Sequence, residues 1–293
     1  MHKPRIGQLR QLLYWMEERQ RIYLEKESGQ PWPWTADPIL QRYKFCCVYR
    51  EQDRVTQWIR TNWREPYKDH PNLCFAMCMA RVINWPPTLS KLSFPTNWKP
   101  AGALRTLRYC KTIGKVYTSA YLLGQVRDAA DRAEFTVYKL LDPVYRAFNR
   151  NPPAFYIDQG ASATLQQSHE WMLQFYGWGK FLAYEVITDL RHTKYLCNAP
   201  DILTWANIGP GAQRGLNRIY HRPLNQHHKQ EALLEELGVV MDWIANNRDP
   251  KLLPTLEARD IEHSLCEYDK YCRVQQNPRA GLEVYRPTER PLI

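Results

Sequence analysis

Hydrophobic residues recur along most of the chain at the three- and four-residue spacing of amphipathic helices. This spacing predicts a first helix over residues 6–28 that stops at Gly29. Asp37-Pro38 is a typical start for a second helix, which we expect to run to residue 63. The β-branched and aromatic stretch KVYTSAY predicts one short β-hairpin near residues 112–122. The predicted fold class is therefore mainly α, a helical bundle with one short hairpin. Further helices are predicted at 72–85, 130–148, 163–176, 228–247 and 256–274.

The composition is that of a globular protein. Hydrophobic residues make up 44% of the 293 residues, and the apolar stretches fall short of the roughly 18 residues that span a bilayer. The N-terminus lacks the apolar core and the small-residue cleavage site of a signal peptide. We therefore expect a cytoplasmic, monomeric protein with no membrane partner.

Charge and cysteine placement narrow the choice of partner and cofactor. Lys and Arg number 40 against 30 Asp and Glu, a net charge of +10. Such a balance favours a polyanion such as nucleic acid as the binding partner, although many proteins are basic without having such a partner. The eight cysteines include no two closely spaced pairs of the kind that holds zinc. No metal and no cofactor are expected.

Two glycine turns stand at the mouths of predicted helices, and the first lies in GWGKFLAYEVITDL. Gly177 and Gly179 flank Trp178, and Lys180 opens the apolar helix that follows. In a helix–hairpin–helix, such a turn points backbone N–H groups at a DNA phosphate, aided by the dipole of the second helix. An ordinary helix cap gives the same pattern, and the spacing alone does not separate the two. All four residues are candidate DNA contacts.

The second turn, GPGAQRGLNR, is the stronger anion candidate. Gly209 and Gly211 surround a proline, and Arg214 and Arg218 fall four apart on one face of the helix behind them. A glycine turn, a helix N-terminus and two arginines suit a clamp for phosphate or pyrophosphate, with a basic solvated helix as the alternative. The P-loop pattern G-x-x-x-x-G-K-[ST] occurs nowhere in the chain.

The residues around the first turn resemble the helix–hairpin–helix DNA glycosylases: a hairpin, an apolar helix, and then Asp201, 22 residues after Gly179. In those enzymes, such an Asp stabilises the positive charge that grows on the sugar as the base leaves. Bifunctional members carry a Lys nucleophile where this chain has Phe181. The resemblance therefore implies a monofunctional enzyme in which Asp201 acts with water. Lys180, one residue off register, is the competing nucleophile.

Four separated motifs carry a closer resemblance over most of the chain: RYKFCCVYREQDRVTQWI, GWGKFLAYEVITDL, GPGAQRGLNR and IEHSLCEYDKY. Together they are similar to the α-glutamyl/putrescinyl thymine pyrophosphorylases, glycosylase-related helical proteins of phages and bacteria. That family includes amino acid:DNA transferases, helical domains attached to hydroxymethyluracil DNA kinases, and antiphage glycosylases that remove glucosylated hydroxymethylcytosine. Where its pattern has Asn before VYRE, this chain has Cys47, so that contact is not carried over. Because no P-loop is present, the kinase itself is excluded.

The resemblance divides the chain into three parts. An N-terminal helix and connector (1–36) precede a glycosylase-like catalytic domain (37–275), and an extended C-terminal tail (276–293) follows. Within the catalytic domain we expect two lobes with a DNA cleft between them. A competing hypothesis puts the hairpin at Gly209–Gly211, which would move the catalytic carboxylate to Glu231.

Further candidate residues flank these motifs. Glu262 and Asp269 share a predicted helix face with Cys266 and are candidate catalytic carboxylates, against the alternative of a charged solvated face. Arg50 and Arg54 stand among tryptophans, which suits either a DNA-gripping surface or an internal ion-pair network. Candidate substrate contacts are Trp205, Asn207 and His263.

These features favour a monofunctional DNA glycosylase. It would flip a bulky modified pyrimidine, such as glucosylated hydroxymethylcytosine, out of phage DNA and leave an abasic site. The alternative is an amino acid:DNA transferase that displaces pyrophosphate from an activated hydroxymethyl pyrimidine. A non-catalytic reader of modified DNA is the third hypothesis. The expected partner is in each case double-stranded DNA with modified bases.

Overall fold

The computed structural model describes residues 3–118, 129–157, 163–277 and 282–286. Helices dominate these ranges, which confirms the predicted fold class, and their β structure is a lone antiparallel bridge between Tyr43 and Val284. Contacts divide the chain into a first unit, Met1–Asp53 with Ile202–Arg290, and a second unit, Arg54–Asp201. No helix in the described ranges is long and apolar enough to cross a membrane.

The α-helices of the described residues are, in chain order, α1 (Ile6–Glu27), α2 (Pro38–Arg42), α3 (Arg54–Ile59), α4 (Leu73–Ile83), α5 (Pro86–Leu92), α6 (Pro100–Ile113), α7 (Arg132–Glu134), α8 (Asp142–Arg150), α9 (Ala154–Ile157), α10 (Leu165–Leu173), α11 (Lys180–Leu190), α12 (Pro210–Ile219), α13 (Gln230–Asn247) and α14 (Ala258–Gln276). A 3-10 turn at Arg50–Gln52 precedes α3, and π-helical turns at Arg60–Arg64 and Phe135–Leu141 follow α3 and α7.

The first unit packs α1 against α12, α13 and α14. Leu9, Leu12, Leu13 and Met16 repeat at three- and four-residue spacing along α1, and all four are buried. Burial of each such side chain contributes about 1.5–3 kcal/mol relative to an exposed one. Asp37 caps the first turn of α2, as the Asp-Pro pair predicts. The hydrophobic period of the sequence thus sets which faces of these helices meet.

In the second unit, α4 is buried along its whole length. It carries Arg81, whose guanidinium forms a bidentate ion pair with Asp189 of α11 and also donates to Thr56 and Asn84. Both members of the pair are fully buried. Removing one partner of such a pair leaves an uncompensated charge in the interior, which is strongly destabilising. The α4–α11 contact therefore depends on this pair as well as on apolar packing.

The helices α12 and α14 approach so closely that two positions of α12 favour glycine. A Cβ on Gly211 would collide with the side chain of Cys266, and a Cβ on Gly215 would collide with the backbone carbonyl of Leu265. Glycine lets the two backbones come together because it has no Cβ. Two glycines of the GPGAQRGLNR motif therefore serve helix packing.

The predicted continuous helix from Asp37-Pro38 to residue 63 is wrong. α2 ends at Arg42, and helical structure returns only with the 3-10 turn and α3. The residues in between are held by partners far away in the sequence. Tyr43 bridges Val284, and the backbone N–H of Cys46 donates to the Glu267 carboxylate at 2.9 Å. Such long-range bonds override the local helical period.

The predicted hairpin near residues 112–122 falls partly outside the described residues, which stop at 118 and resume at 129. Within them, 112 and 113 belong to the end of α6, and 114–118 form no strand. The domain boundaries after residues 36 and 275, the two lobes with their cleft, and the monomeric state stay predictions.

Replacing Gly215 by Ala tests the α12–α14 contact. The new methyl group would press on the Leu265 carbonyl, which is backbone, so we expect the free energy of unfolding to fall by about 1–3 kcal/mol in urea titrations. Gly238→Ala in α13 is the matched control, because open space surrounds its methyl group, and it should stabilise by about 0.5–1 kcal/mol. Equal stability of the two variants would contradict the close approach of the helices.

Candidate functional site

The glycine turn at the start of α11 is anchored in the core. Gly177 has a φ of +80°, and a Cβ there would collide with the Leu140 side chain. Trp178 is buried, and its indole N–H donates to the Leu140 carbonyl at 3.1 Å. Gly179 is the N-cap of α11, and Gly179 and Lys180 are exposed. The turn therefore presents Gly177, Gly179 and Lys180 to solvent, while Trp178 serves packing. Contact of this turn with DNA stays a prediction.

Asp201 lies at the N-terminus of another helix. Its Oδ1 accepts a hydrogen bond from the N–H of Leu165 at 2.8 Å, and its Oδ2 accepts one from the N–H of Gln166 at 3.0 Å. Thr164 and Gln167 complete a capping box at the same end of α10. A carboxylate in this place satisfies N–H groups that have no partner within the helix and complements the helix dipole. The position of Asp201 is thus explained by capping.

Asp269 is fully buried and binds arginines from two helices. Its carboxylate accepts hydrogen bonds from Nε of Arg214 at 2.8 Å and Nε of Arg218 at 2.9 Å, both on α12. Arg273, one turn further along α14, lies 3.4 Å from the same carboxylate. Three positive charges thus meet one negative charge, and Arg218 is itself buried. The arginines of the predicted phosphate clamp are tied to a carboxylate in this arrangement, which joins α12 to α14.

The loop before α12 holds the remaining residues of the predicted clamp. Trp205 is buried and Asn207 is half-buried, while Gly209 is the N-cap of α12. Ile208 and Gln230 fix the loop by exchanging two hydrogen bonds, at 3.2 and 2.7 Å. Arg50 is half-buried and Arg54 is exposed. The substrate and DNA contacts proposed for these side chains stay predictions.

A second face of α14 carries polar residues that the sequence did not bring together. Glu267 is buried, accepts from the N–H of Cys46, and binds the Lys270 ammonium at 2.8 and 3.0 Å. Burial acts to raise the pKa of Glu267, but Lys270, His263 and the N–H of Cys46 outweigh it, so the pKa lies below its ordinary value. Glu262 lies on the face of α14 that carries Asp269, where it is also buried and pairs with Arg259 at 2.9 Å. Glu267 is therefore ionised at neutral pH.

The exposed side of α6 and the residues just after it form a basic surface to which the sequence analysis gave no function. We call Arg105, Arg108, Tyr109, Lys111 and, two residues beyond the helix, Lys115 the α6 basic face. All five are exposed, and α6 contains no Asp or Glu. Within the described part of the chain, a carboxylate partner is found for Arg108 alone, which pairs with Asp131 and Glu134. The spacing of basic residues by three or four, with no acid between them, was the pattern that could have revealed it.

Aromatic rings accompany the positive charges on this face. Tyr109 is 57% exposed, and the Lys91 ammonium lies 5.8 Å from its ring centroid. Lys91, Arg105, Thr106 and Tyr109 line an open depression of about 400 Å³. Cations beside an exposed aromatic ring suit nucleic acid, since the cations meet phosphates and the ring offers a surface on which a base can stack.

Comparison with known proteins identifies the relatives of this chain. Residues 7–281 match the family described as 5-hmdU DNA kinase, helical domain. The chain is 25% identical over 308 residues to a 5-hmdU DNA kinase of Bacillus phage SP10. That alignment covers 92% of this chain and 46% of the relative, so the chain spans about half the length of the curated relative. No solved structure matches.

These matches overturn the predicted glycosylase and its runner-up, the amino acid:DNA transferase, because the matching family is that of a DNA kinase. The exclusion of the kinase, which rested on the missing P-loop, is wrong as well, because the chain belongs to the family of 5-hmdU DNA kinase helical domains. The catalytic role predicted for Asp201 was argued for base excision, which these matches contradict; any other part of Asp201 in the chemistry stays untested. The comparisons support the resemblance in part, because they show a phage enzyme family that is concerned with a modified thymine.

Substituting Asp269 by Asn tests the charge cluster between α12 and α14. The change leaves the buried Arg218 guanidinium without its anion, so we expect a loss of about 3–5 kcal/mol in the free energy of unfolding. Asp242→Asn, at an exposed position of α13, is the control and should stay within about 0.5 kcal/mol of the parent. An Asp269→Asn variant as stable as the parent protein would show that the cluster does not hold the two helices.

Proposed function

Because the chain belongs to the family of 5-hmdU DNA kinase helical domains, we propose that it binds DNA containing 5-hydroxymethyl-2′-deoxyuridine and takes part in the phosphorylation of that base. The family match, which runs over nearly the whole chain, carries the proposal. The match is to the helical domain of the kinase, and the chain spans 46% of its curated relative, so we propose that the nucleotide-binding part lies in another part of the enzyme.

The α6 basic face is the surface proposed to meet the DNA. Arg105, Lys111 and Lys115 have no carboxylate partner in the described residues, so their charge is available to phosphates. Tyr109 adds a ring that a base or a sugar can contact. Along a helix, residues 105 and 111 are separated by about 9 Å at 1.5 Å per residue, which is long enough to reach successive phosphates of one strand. The net charge of +10 supports the same partner.

The chemistry of the modified base fits a surface of this kind. The C5 substituent of thymine, and hence the hydroxymethyl group of 5-hmdU, stands on the major-groove edge of the base pair. Its hydroxyl oxygen would attack the terminal phosphorus of the donor, with loss of the hydroxyl proton and departure of the nucleoside diphosphate. The glycosidic bond stays intact throughout, unlike in base excision. The task of the helical chain is to hold the DNA so that the hydroxyl group faces the donor.

Equilibrium binding to two duplexes of one sequence, with 5-hmdU or thymidine at a central position, tests the proposal. We expect the 5-hmdU duplex to bind at least about tenfold more tightly, equivalent to about 1.4 kcal/mol. The methyl group of thymidine would leave the polar groups that bind the hydroxyl group without a hydrogen-bond partner. Equal affinity for both duplexes, or binding to neither, would overturn the proposal.

The α6 basic face has its own test in the same assay. Arg105→Gln and Lys111→Gln should weaken both duplexes alike, and each should reduce the slope of log affinity against log salt by about 0.9. Lys251→Gln, an exposed cation of the first unit, is the matched control and should leave affinity and slope unchanged. If the two α6 variants bind like the control, the DNA lies elsewhere on the chain.

Mass spectrometry of nucleosides recovered after incubation with ATP tests where the donor binds. With this chain alone, we expect 5-hmdU to be recovered without an added phosphate and without excision. A phosphate gained under these conditions would contradict the placement of the donor site outside the chain, and abasic sites would contradict the kinase assignment.

A further inference from the structure

Three side chains with metal-binding atoms converge in the first unit. They are the thiol of Cys46, the imidazole of His263 and the carboxylate of Glu267, and one ligand atom from each lies within 4.8 Å of the other two. His263 and Glu267 are four apart on α14 and therefore share one face of the helix. Cys46 comes from the extended segment after α2, 221 positions away from Glu267.

The backbone of Cys46 is fixed against α14 without any metal. Its N–H donates to Glu267 Oε2 at 2.9 Å, and the neighbouring Phe45 ring packs against Trp15 and Tyr271. The fold therefore brings the thiol to the helix, so that no segment has to be reorganised on binding. Cys46 and His263 keep accessible surface, which gives an ion a route to the cluster.

Glu267 retains capacity for a further ligand. Its Oε2 accepts from Cys46 and Lys270, while its Oε1 accepts from Lys270 at 3.0 Å. A carboxylate oxygen has two lone pairs, so Oε1 has one left for an ion. Lys270 would then orient the carboxylate from outside the coordination shell, as hydrogen-bonded partners of metal ligands do.

We propose that Cys46, His263 and Glu267 form a binding site for a divalent transition metal of the zinc class. A thiolate and an imidazole suit zinc and disfavour magnesium or calcium, which prefer oxygen ligands throughout. The thiolate and the carboxylate together balance the two positive charges of the ion. Three protein ligands leave a fourth tetrahedral position for water or another small ligand. The site is independent of the proposed DNA function.

Cobalt(II) is the probe, because a cobalt–thiolate bond gives a charge-transfer absorption band and tetrahedral cobalt gives intense d–d bands. The whole chain, stripped of metal with a chelator, should bind one equivalent of Co²⁺ with both features, and added Zn²⁺ should displace it. Cys46→Ser should abolish the charge-transfer band, and His263→Ala and Glu267→Gln should weaken Co²⁺ binding at least about tenfold.

Cys47→Ser is the matched control, since Cys47 lies next to Cys46 but its thiol contacts Arg19 and the Gln52 carbonyl, so its cobalt spectrum should match that of the parent. Circular dichroism of each variant identifies any that fails to fold. Thermal unfolding gives a second measurement: Zn²⁺ should raise Tm of the parent and of Cys47→Ser but not of Cys46→Ser. Absence of the band from the parent, its persistence in Cys46→Ser, or an equal shift of Tm in all three proteins would overturn the proposal.

Discussion

The ion pairs of the buried Asp269 carboxylate are the interaction on which the first unit depends most. It joins α12 to α14 through Arg214 and Arg218, while Gly211 and Gly215 let the two helix backbones approach. Neither feature is sufficient alone: the glycines supply the space, and the ion pairs compensate charges that burial would otherwise make costly. Because α14 is held in this way on one face, its other face is a fixed platform for the polar residues around Glu267.

The second unit contains both a buried arginine that is paired with a carboxylate and exposed basic residues that are not. Inside it, Arg81 is matched by Asp189, so this charge serves the fold alone. On its surface, Arg105 and Lys111 of the α6 basic face stand without a carboxylate partner in the described residues. Positive charges kept together in this way repel one another, a cost to stability that is offset when a polyanion binds. The contrast is the physical reason for placing DNA on α6 rather than on the arginines of α12.

Sequence periodicity predicted the helical fold class and the approximate bounds of α1, α4, α13 and α14, because those helices bury one face or all faces in the core. It failed between residues 43 and 53, where the chain is held by Val284 and Glu267, more than two hundred positions away. The same limit applies to the site. The sequence showed that Arg214 and Arg218 lie on one face of a helix, but it did not show that Asp269 is their partner. Asp201 was predicted to be catalytic because a carboxylate at a helix N-terminus has the same sequence pattern whether it caps the helix or takes part in catalysis. The proposed chemistry rests on comparison with the kinase family.

Hydrogen–deuterium exchange of the whole chain, with and without a 5-hmdU duplex, tests most directly whether the α6 basic face binds the DNA. Amides of α6 should exchange more slowly when the 5-hmdU duplex is bound, and a thymidine duplex at the same concentration should slow them by a smaller factor. Amides in the buried contact between α12 and α14 should be slow in every sample. Unchanged exchange in α6, or equal protection by both duplexes, would contradict the claim that this helical chain recognises 5-hmdU DNA through its α6 basic face.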